Sequence, residues 1–333
     1  MMTKFLLLIC LGAHLLFSQE DFYASQSRFM QKTNPSYFGV NNSNKIGVLY
    51  NTISIDQNNS SDNKYVFGVI SFDEKKFSLG FDVNSLKVAS TELVLNSFKL
   101  TYVYKIKLNN TTYFLPAVSL AIGNSQVNKE NLIFEDQLNA TTGFINTETI
   151  DPLGTSLGNA NYFDFGASLL MHNQKYLLGI SLKNLNRPNT SLNREKEYNK
   201  PLSISVQGGI EFDVNPYERS FLPRYSFLFT YAAITQIEKK MFIDLVQEMR
   251  MGGFSVGLNQ KLSNSGGFNF NSIGLGAGLQ FENFEFGMAY NFPFRAQAQI
   301  HSPSVFEIFV TFDFSRFQRN QRGFFKFLQT ENY

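Results

Sequence analysis

The chain has 333 residues, with 36 Phe and 15 Tyr, yet its mean hydropathy is only −0.15 because Asn, Ser, Gly and Lys dilute the aromatics. That length admits two soluble domains or one large barrel, and the mixture suits a transmembrane β-barrel with an apolar, aromatic-girdled outside and a polar inside. A formal net charge of +2, with no basic patch interleaved with aromatics in the barrel region, excludes the footprint of a nucleic-acid binder.

In chain order, Lys4, the apolar run 5–17 and Ser18 supply the charged, apolar and small-residue parts of a secretory signal peptide. Cleavage is expected after Ser18, so 1–18 is the signal peptide and Gln19 the new N-terminus. Cys10, the only cysteine, lies in that run after Ile9, a poor match to a lipoprotein site. Its removal leaves no thiol, which excludes disulfides, cysteine nucleophiles and thiolate metal sites in the mature chain. Residues 19–43 are expected to form an N-terminal periplasmic segment.

From 44 to 314 bulky apolar residues alternate with small or polar ones, the period of a strand with one greasy and one wet face. Phe77, Leu79, Phe81 and Val83 alternate with Ser78, Gly80, Asp82 and Asn84. The same holds for Leu202, Ile204 and Val206, and for Phe284, Phe286, Met288, Tyr290 and Phe292. The pattern predicts strands at 44–55, 64–73, 76–86, 92–108, 112–123, 161–171, 175–185, 201–213, 223–235, 239–249, 252–263, 267–281, 283–292 and 304–314. That is about 14 strands, an even number, as a single-chain outer-membrane barrel requires. The fold class is therefore all-β, a transmembrane antiparallel β-barrel. No later segment reaches the roughly 20 apolar residues of a spanning helix, and in lipid only a closed barrel satisfies every strand.

Loop lengths sort by side. The long connections 124–160 and 186–200 follow odd strands, and tight turns at 73–76, 109–111 and 172–174 follow even ones, placing both chain ends on the short-turn, periplasmic side. Connections 214–222 and 236–238 fit the scheme less well. In the twelfth strand Phe268 and Phe270 are out of phase with Ile273, Leu275, Leu279 and Phe281, which predicts a bulge near Asn271; two short strands meeting at a turn are the alternative. In the last strand Phe306, Ile308, Val310, Phe312 and Phe314 share one face, and Phe309 breaks the pattern by joining Glu307, Thr311 and Asp313. The tail 315–333 carries Arg316, Arg319, Arg322 and Lys326 among Phe324, Phe325 and Phe327. It reads as a disordered periplasmic end, with a docking segment as the other reading.

Residues 19–39, QEDFYASQSRFMQKTNPSYFG, resemble the opening sequence of the PorP/SprF family of outer-membrane proteins, where a Gln-rich stretch and a Met precede Asn-Pro-Ala-Tyr-Ala-Gly. Here the motif is Asn34, Pro35, Ser36, Tyr37, Phe38 and Gly39, departing at Ser36 and Phe38. Residues 161–188 resemble the family's central hairpin, and 292–314 its last hairpin. There Glu307 and Ile308 match a Ser-His-Glu-Ile motif, but Phe306 stands at the His position and His301 lies earlier. The opening motif has a physical reading too: Pro35 biases Asn34 away from helix and Gly39 can take a left-handed turn, so it reads as a fixed turn leading into the first strand or as a partner contact.

The histidines give no site. His14 falls in the signal, His172 in a short turn and His301 in an outer loop, so the surviving two cannot share a metal or active site. No His stands beside a Ser on an outer-facing strand as an outer-membrane lipase would need. Asp82, Asp164, Glu211, Asp244, Glu285 and Glu307, with Lys105 and Lys183, are expected to face the lumen as a hydrated ionic lining. Gly274, Gly276 and Gly278 alternate with apolar residues inside a strand, so they read as room or bend, not as a phosphate loop. No catalytic residue, cofactor or metal is expected, and the chain reads as no enzyme.

What the resemblance implies is a component of type IX secretion and gliding motility in Bacteroidetes. It would sit in the cell outer membrane, against lipid, with the secretion machinery and a cognate secreted adhesin or other cargo as partners. A diffusion porin for small solutes is the alternative.

Overall fold

A computed structural model describes residues 23–42, 44–54, 60–128, 135–138, 151, 158–193, 197–217, 221–264, 267–294, 303–314 and 326–328. The predicted signal peptide and most of the long connection after the fifth strand lie outside them.

The strands are β1 (Lys45–Ser54), β2 (Ser60–Phe72), β3 (Phe77–Val88), β4 (Leu93–Tyr104), β5 (Tyr113–Val127), β6 (Ala160–His172) and β7 (Tyr176–Lys183). They continue as β8 (Ser203–Asp213), β9 (Ser226–Ile237), β10 (Lys240–Met251), β11 (Phe254–Asn264), β12 (Phe268–Phe281), β13 (Phe284–Pro293) and β14 (Ser304–Asp313). Beyond Lys105, Ile106–Lys107 extends β4 against Phe114 and Tyr113. Each strand pairs antiparallel with its sequence neighbours, and β1 pairs with β14 from Lys45↔Asp313 to Ser54↔Ser304, so the 14-strand barrel is closed. Strand number and order agree with the sequence reading. The main differences are at the long-loop ends, where β2 begins at Ser60 rather than 64 and β5 runs to Val127 rather than 123.

The predicted bulge is present. Ser272 pairs with Lys261 but Phe270 with Leu262, leaving Asn271 as the extra residue on β12. Asn271 and Ser272 are therefore both buried, and the aromatic and aliphatic residues on either side keep the outer face.

The outer wall is apolar, with Val48, Leu100, Val118, Leu178 and Leu275 all exposed. Aromatics collect near the two rims. Phe72, Phe77 and Tyr102 stack near the short-turn end, where Phe284 and Phe312 also meet, tilted at 47°. Tyr290 with Phe292, and Phe270 with Phe294, sit near the other. An apolar band between aromatic girdles is the signature of a barrel set in lipid. Among the described residues no helix is long and apolar enough to cross a membrane.

The interior differs from the hydrated lining expected. Residues 23–41, placed ahead of the barrel by the sequence reading, run through the lumen, and Phe327 and Leu328 of the tail enter it as well. The wall explains why. Tyr65, Phe67, Val69, Phe229, Tyr231 and Phe309 point inward, where water alone would leave large apolar surface exposed, and the terminal segments cover it.

Candidate functional site

The lumen plug is built from a short stretch of sequence. The carbonyl of Ser25 accepts from Arg28 N at 3.0 Å and Phe29 N at 3.3 Å, starting a turn that becomes the single-turn helix α1 (Met30–Thr33). Pro35 ends it by holding Asn34 extended, at φ −136° and ψ 107°.

Phe29 is the apolar centre, meeting Tyr65, Phe67 and Phe309 edge-on at 6.2, 5.9 and 5.4 Å. Burying such a ring stabilises by about 1.5–3 kcal/mol, and each edge-to-face pair adds about 0.5–1.5 kcal/mol. Phe309, the residue that broke the alternation of the last strand, is thus the wall's half of this contact. Lys32 lies over the Tyr23 and Tyr65 rings at 3.7 and 3.9 Å and donates to Asn84 Oδ1 at 2.9 Å.

Charged wall residues grip the plug. The fully buried Glu307 accepts from Ala24 N at 3.1 Å and Ser25 N at 3.0 Å, and Asn259 donates to the Ala24 carbonyl. Arg28 forms ion pairs with Glu248 and Glu285 and reaches Ser255 Oγ at 2.5 Å. Ser27 Oγ donates to Glu248 at 2.5 Å. Arg250 approaches Glu248 at 3.6 Å and Glu285 at 3.3 Å, and Lys45 approaches Glu285 at 3.6 Å. Burial pulls the Arg28 guanidinium down to about 10 while Glu248 pulls it the other way, so it stays cationic at neutral pH. Two carboxylates lie among three cations, so each charged group has an opposite charge within 3.6 Å, the condition under which buried charge is tolerated.

All six motif residues, Asn34, Pro35, Ser36, Tyr37, Phe38 and Gly39, are buried in the lumen. Asn34 Oδ1 accepts from Ser36 N at 2.9 Å, and its carbonyl accepts from Tyr37 N at 3.1 Å, closing a turn at Asn34. Its Nδ2 donates to the Leu169 carbonyl on β6 at 3.2 Å and lies 3.5 Å from that of Ile180 on β7. The two departures from the family motif each have a partner. Ser36 meets Ser168 Oγ at 2.8 Å, and the Phe38 ring lies where a Cβ on Gly80 would be. Gly39 is not left-handed; Asn41 is, at φ 63°. Gly39 is required instead by close approach, since a Cβ there would stand 2.7 Å from Val103.

The tail contact uses the same device as Glu307. Glu211 on β8 accepts from Phe327 N at 3.0 Å and Leu328 N at 2.8 Å.

Of the other expected lining residues, Asp82 pairs with Lys99 at 3.4 Å, Asp244 with Lys261 at 3.7 Å, and Lys105 donates to Ser71 Oγ at 3.2 Å. Asp164 and Lys183 line a cavity of about 130 Å³ with Lys32, Lys99 and Lys200. Gly278 makes room for the plug: a Cβ there would stand 2.8 Å from Arg28 Nη2. His172 is buried at the end of β6, stacked on Tyr113 at 5.9 Å, while His301 lies outside the described residues. Among the described residues no group of three or more His, Cys, Asp or Glu could hold a metal ion.

Sequence reasoning missed Arg28, Glu248 and Arg250. Glu248 shares the inward phase of Asp244 and Val246 on β10, so its facing was readable; its partner, on a segment thought to lie outside, was not.

A sequence model described as type IX secretion system membrane protein PorP/SprF matches residues 17–312. No curated protein sequence matches the chain. Similar solved structures include the TodX monoaromatic hydrocarbon channel deltaS2 mutant, at TM-score 0.50 and 10% identity over 84% of this chain and 92% of that one. A Pseudomonas aeruginosa FadL homologue has TM-score 0.49 and 9% identity over 88% and 94%. The Ralstonia pickettii toluene transporter TbuX has TM-score 0.47 and 9% identity over 88% and 93%. At 10% identity the likeness to the TodX channel is one of barrel fold alone.

Proposed function

The chain belongs to the PorP/SprF family of type IX secretion system membrane proteins, and from that premise we propose that it is a non-enzymatic outer-membrane component supporting export or surface attachment of a cognate secreted protein. A large adhesin of the kind used in gliding motility is the cargo this reading favours. In it, residues 1–18 are removed as a signal peptide, the long-loop rim contacts the cargo, and the short-turn rim contacts the secretion machinery. The opening motif 34–39 serves to seat the plug, and partners act on the rims around it.

The observation that carries the reading is the plug. A barrel whose lumen is crossed by a segment bonded to β2, β3, β6, β7, β10, β11, β13 and β14 is suited to holding and positioning, not to passing solutes. This weighs against the diffusion-porin alternative, which requires a continuous aqueous path. Gene deletion tests the proposal. Loss of surface secretion, together with co-purification of one secreted protein with the barrel from outer membranes, is expected. Secretion and gliding that continue unchanged would overturn it.

A further inference from the structure

The place where Phe327 and Leu328 sit has the features of a receptor. Glu211, on β8, is 4% exposed and takes both successive main-chain N–H groups. The Phe327 ring lies between Phe229 on β9, stacked at 4.6 Å, and the Arg250 guanidinium on β10, at 3.7 Å. Asn41 Nδ2 donates to the Phe327 carbonyl at 2.7 Å, and Leu328 is fully buried. Beside them a cavity of about 140 Å³ runs past Arg28, Tyr37 and Lys326 to Asn283 and Asp313 at the short-turn rim.

Three physical points follow. The carboxylate and Asn41 read main chain, so they accept any peptide that offers two successive N–H groups and the carbonyl of the first residue. The Phe229–Arg250 slot selects a flat ring at the first position, and the buried second position selects an aliphatic side chain. With the receptor empty, water entering from the short-turn rim can replace the N–H donors at Glu211, so one occupant can leave and another take its place.

We propose that this receptor is a peptide-binding site at the short-turn end of the barrel, filled in cis by Phe327–Leu328 and able to exchange them for an aromatic–aliphatic stretch of a second polypeptide. The proposal goes beyond the secretion reading and does not depend on it, because exchange is a property of the purified barrel.

The test uses the full chain, folded first, with a protease site inserted between Arg322 and Gly323. After cutting, a fluorescent peptide of residues 323–333 is titrated in. Saturable uptake of one peptide per barrel is expected in the cut protein, with little or none in the uncut protein. Binding should weaken about ten-fold or more for the Phe327→Ala peptide, and likewise for a Glu211→Ala barrel, as loss of a charge-assisted hydrogen-bond pair implies. If the Glu211→Ala barrel does not fold, the Phe327→Ala peptide on the unaltered barrel carries the comparison. Failure of the labelled peptide to enter the cut barrel would overturn the proposal, showing a tail fixed as part of the fold. Equal binding of the original and Phe327→Ala peptides, or equal uptake by cut and uncut protein, would overturn it as well.

Discussion

Both terminal segments enter the barrel, and each is held by one buried carboxylate that takes two successive N–H groups: Glu307 for Ala24 and Ser25, Glu211 for Phe327 and Leu328. They differ in what surrounds that grip. The N-terminal segment adds Arg28 on Glu248 and Glu285, Phe29 among three wall rings, and Asn34 and Ser36 on β6, so its anchors spread around the circumference. The described tail residues touch one sector, β8 to β10, and Asn41 of the plug. A segment anchored to many strands cannot leave without loosening the whole wall; one anchored to a single sector can. The same hydrogen-bond device therefore serves a fixed core in one place and an exchangeable occupant in the other.

The largest break in this comparison should come from Glu248→Ala combined with Glu285→Ala, which strips Arg28 and Arg250 of their buried carboxylates. We expect a loss of about 3–5 kcal/mol, read as a lower denaturant midpoint for the folded, heat-modifiable form on gels. Glu307→Ala, which leaves the Ala24 and Ser25 N–H groups buried without an acceptor, should cost about 2 kcal/mol by the same measurement.

Gly179→Ala should cost about 1 kcal/mol, because its Cβ would stand 2.7 Å from Asn34 Nδ2 and 2.9 Å from Leu170. Removing residues 326–333 should be smallest, about 0.5 kcal/mol, because water from the short-turn rim can reach Glu211; added 323–333 peptide should restore it. A tail deletion as costly as Glu307→Ala would erase the distinction between the two segments.

Much of the wall was legible in the sequence because alternation reports which face each residue takes. It gave the strands, the loop sorting and the bulge at Asn271. Alternation does not report what a residue meets. Phe309 registered as an exception, and Tyr65, Phe67 and Val69 place a second apolar row on the inner face of β2, which is the mark of a filled lumen. Their partner was a 19-residue stretch, 23–41, with no period of its own, so its place inside could not be read from pattern. The turn at Asn34 was readable from Pro35, whereas the role of Gly39 depends on Val103, far away in sequence. Glu211 and Glu307 were recognisable as inward carboxylates. That each would hold a chain segment rather than water depended on the ends folding back.

Single-channel recording of the purified protein in a planar bilayer tests the plugged lumen most directly. The unaltered barrel should insert without steady conductance, and the Glu248→Ala, Glu285→Ala variant should open. Steady, wide conductance from the unaltered, folded barrel would contradict the account.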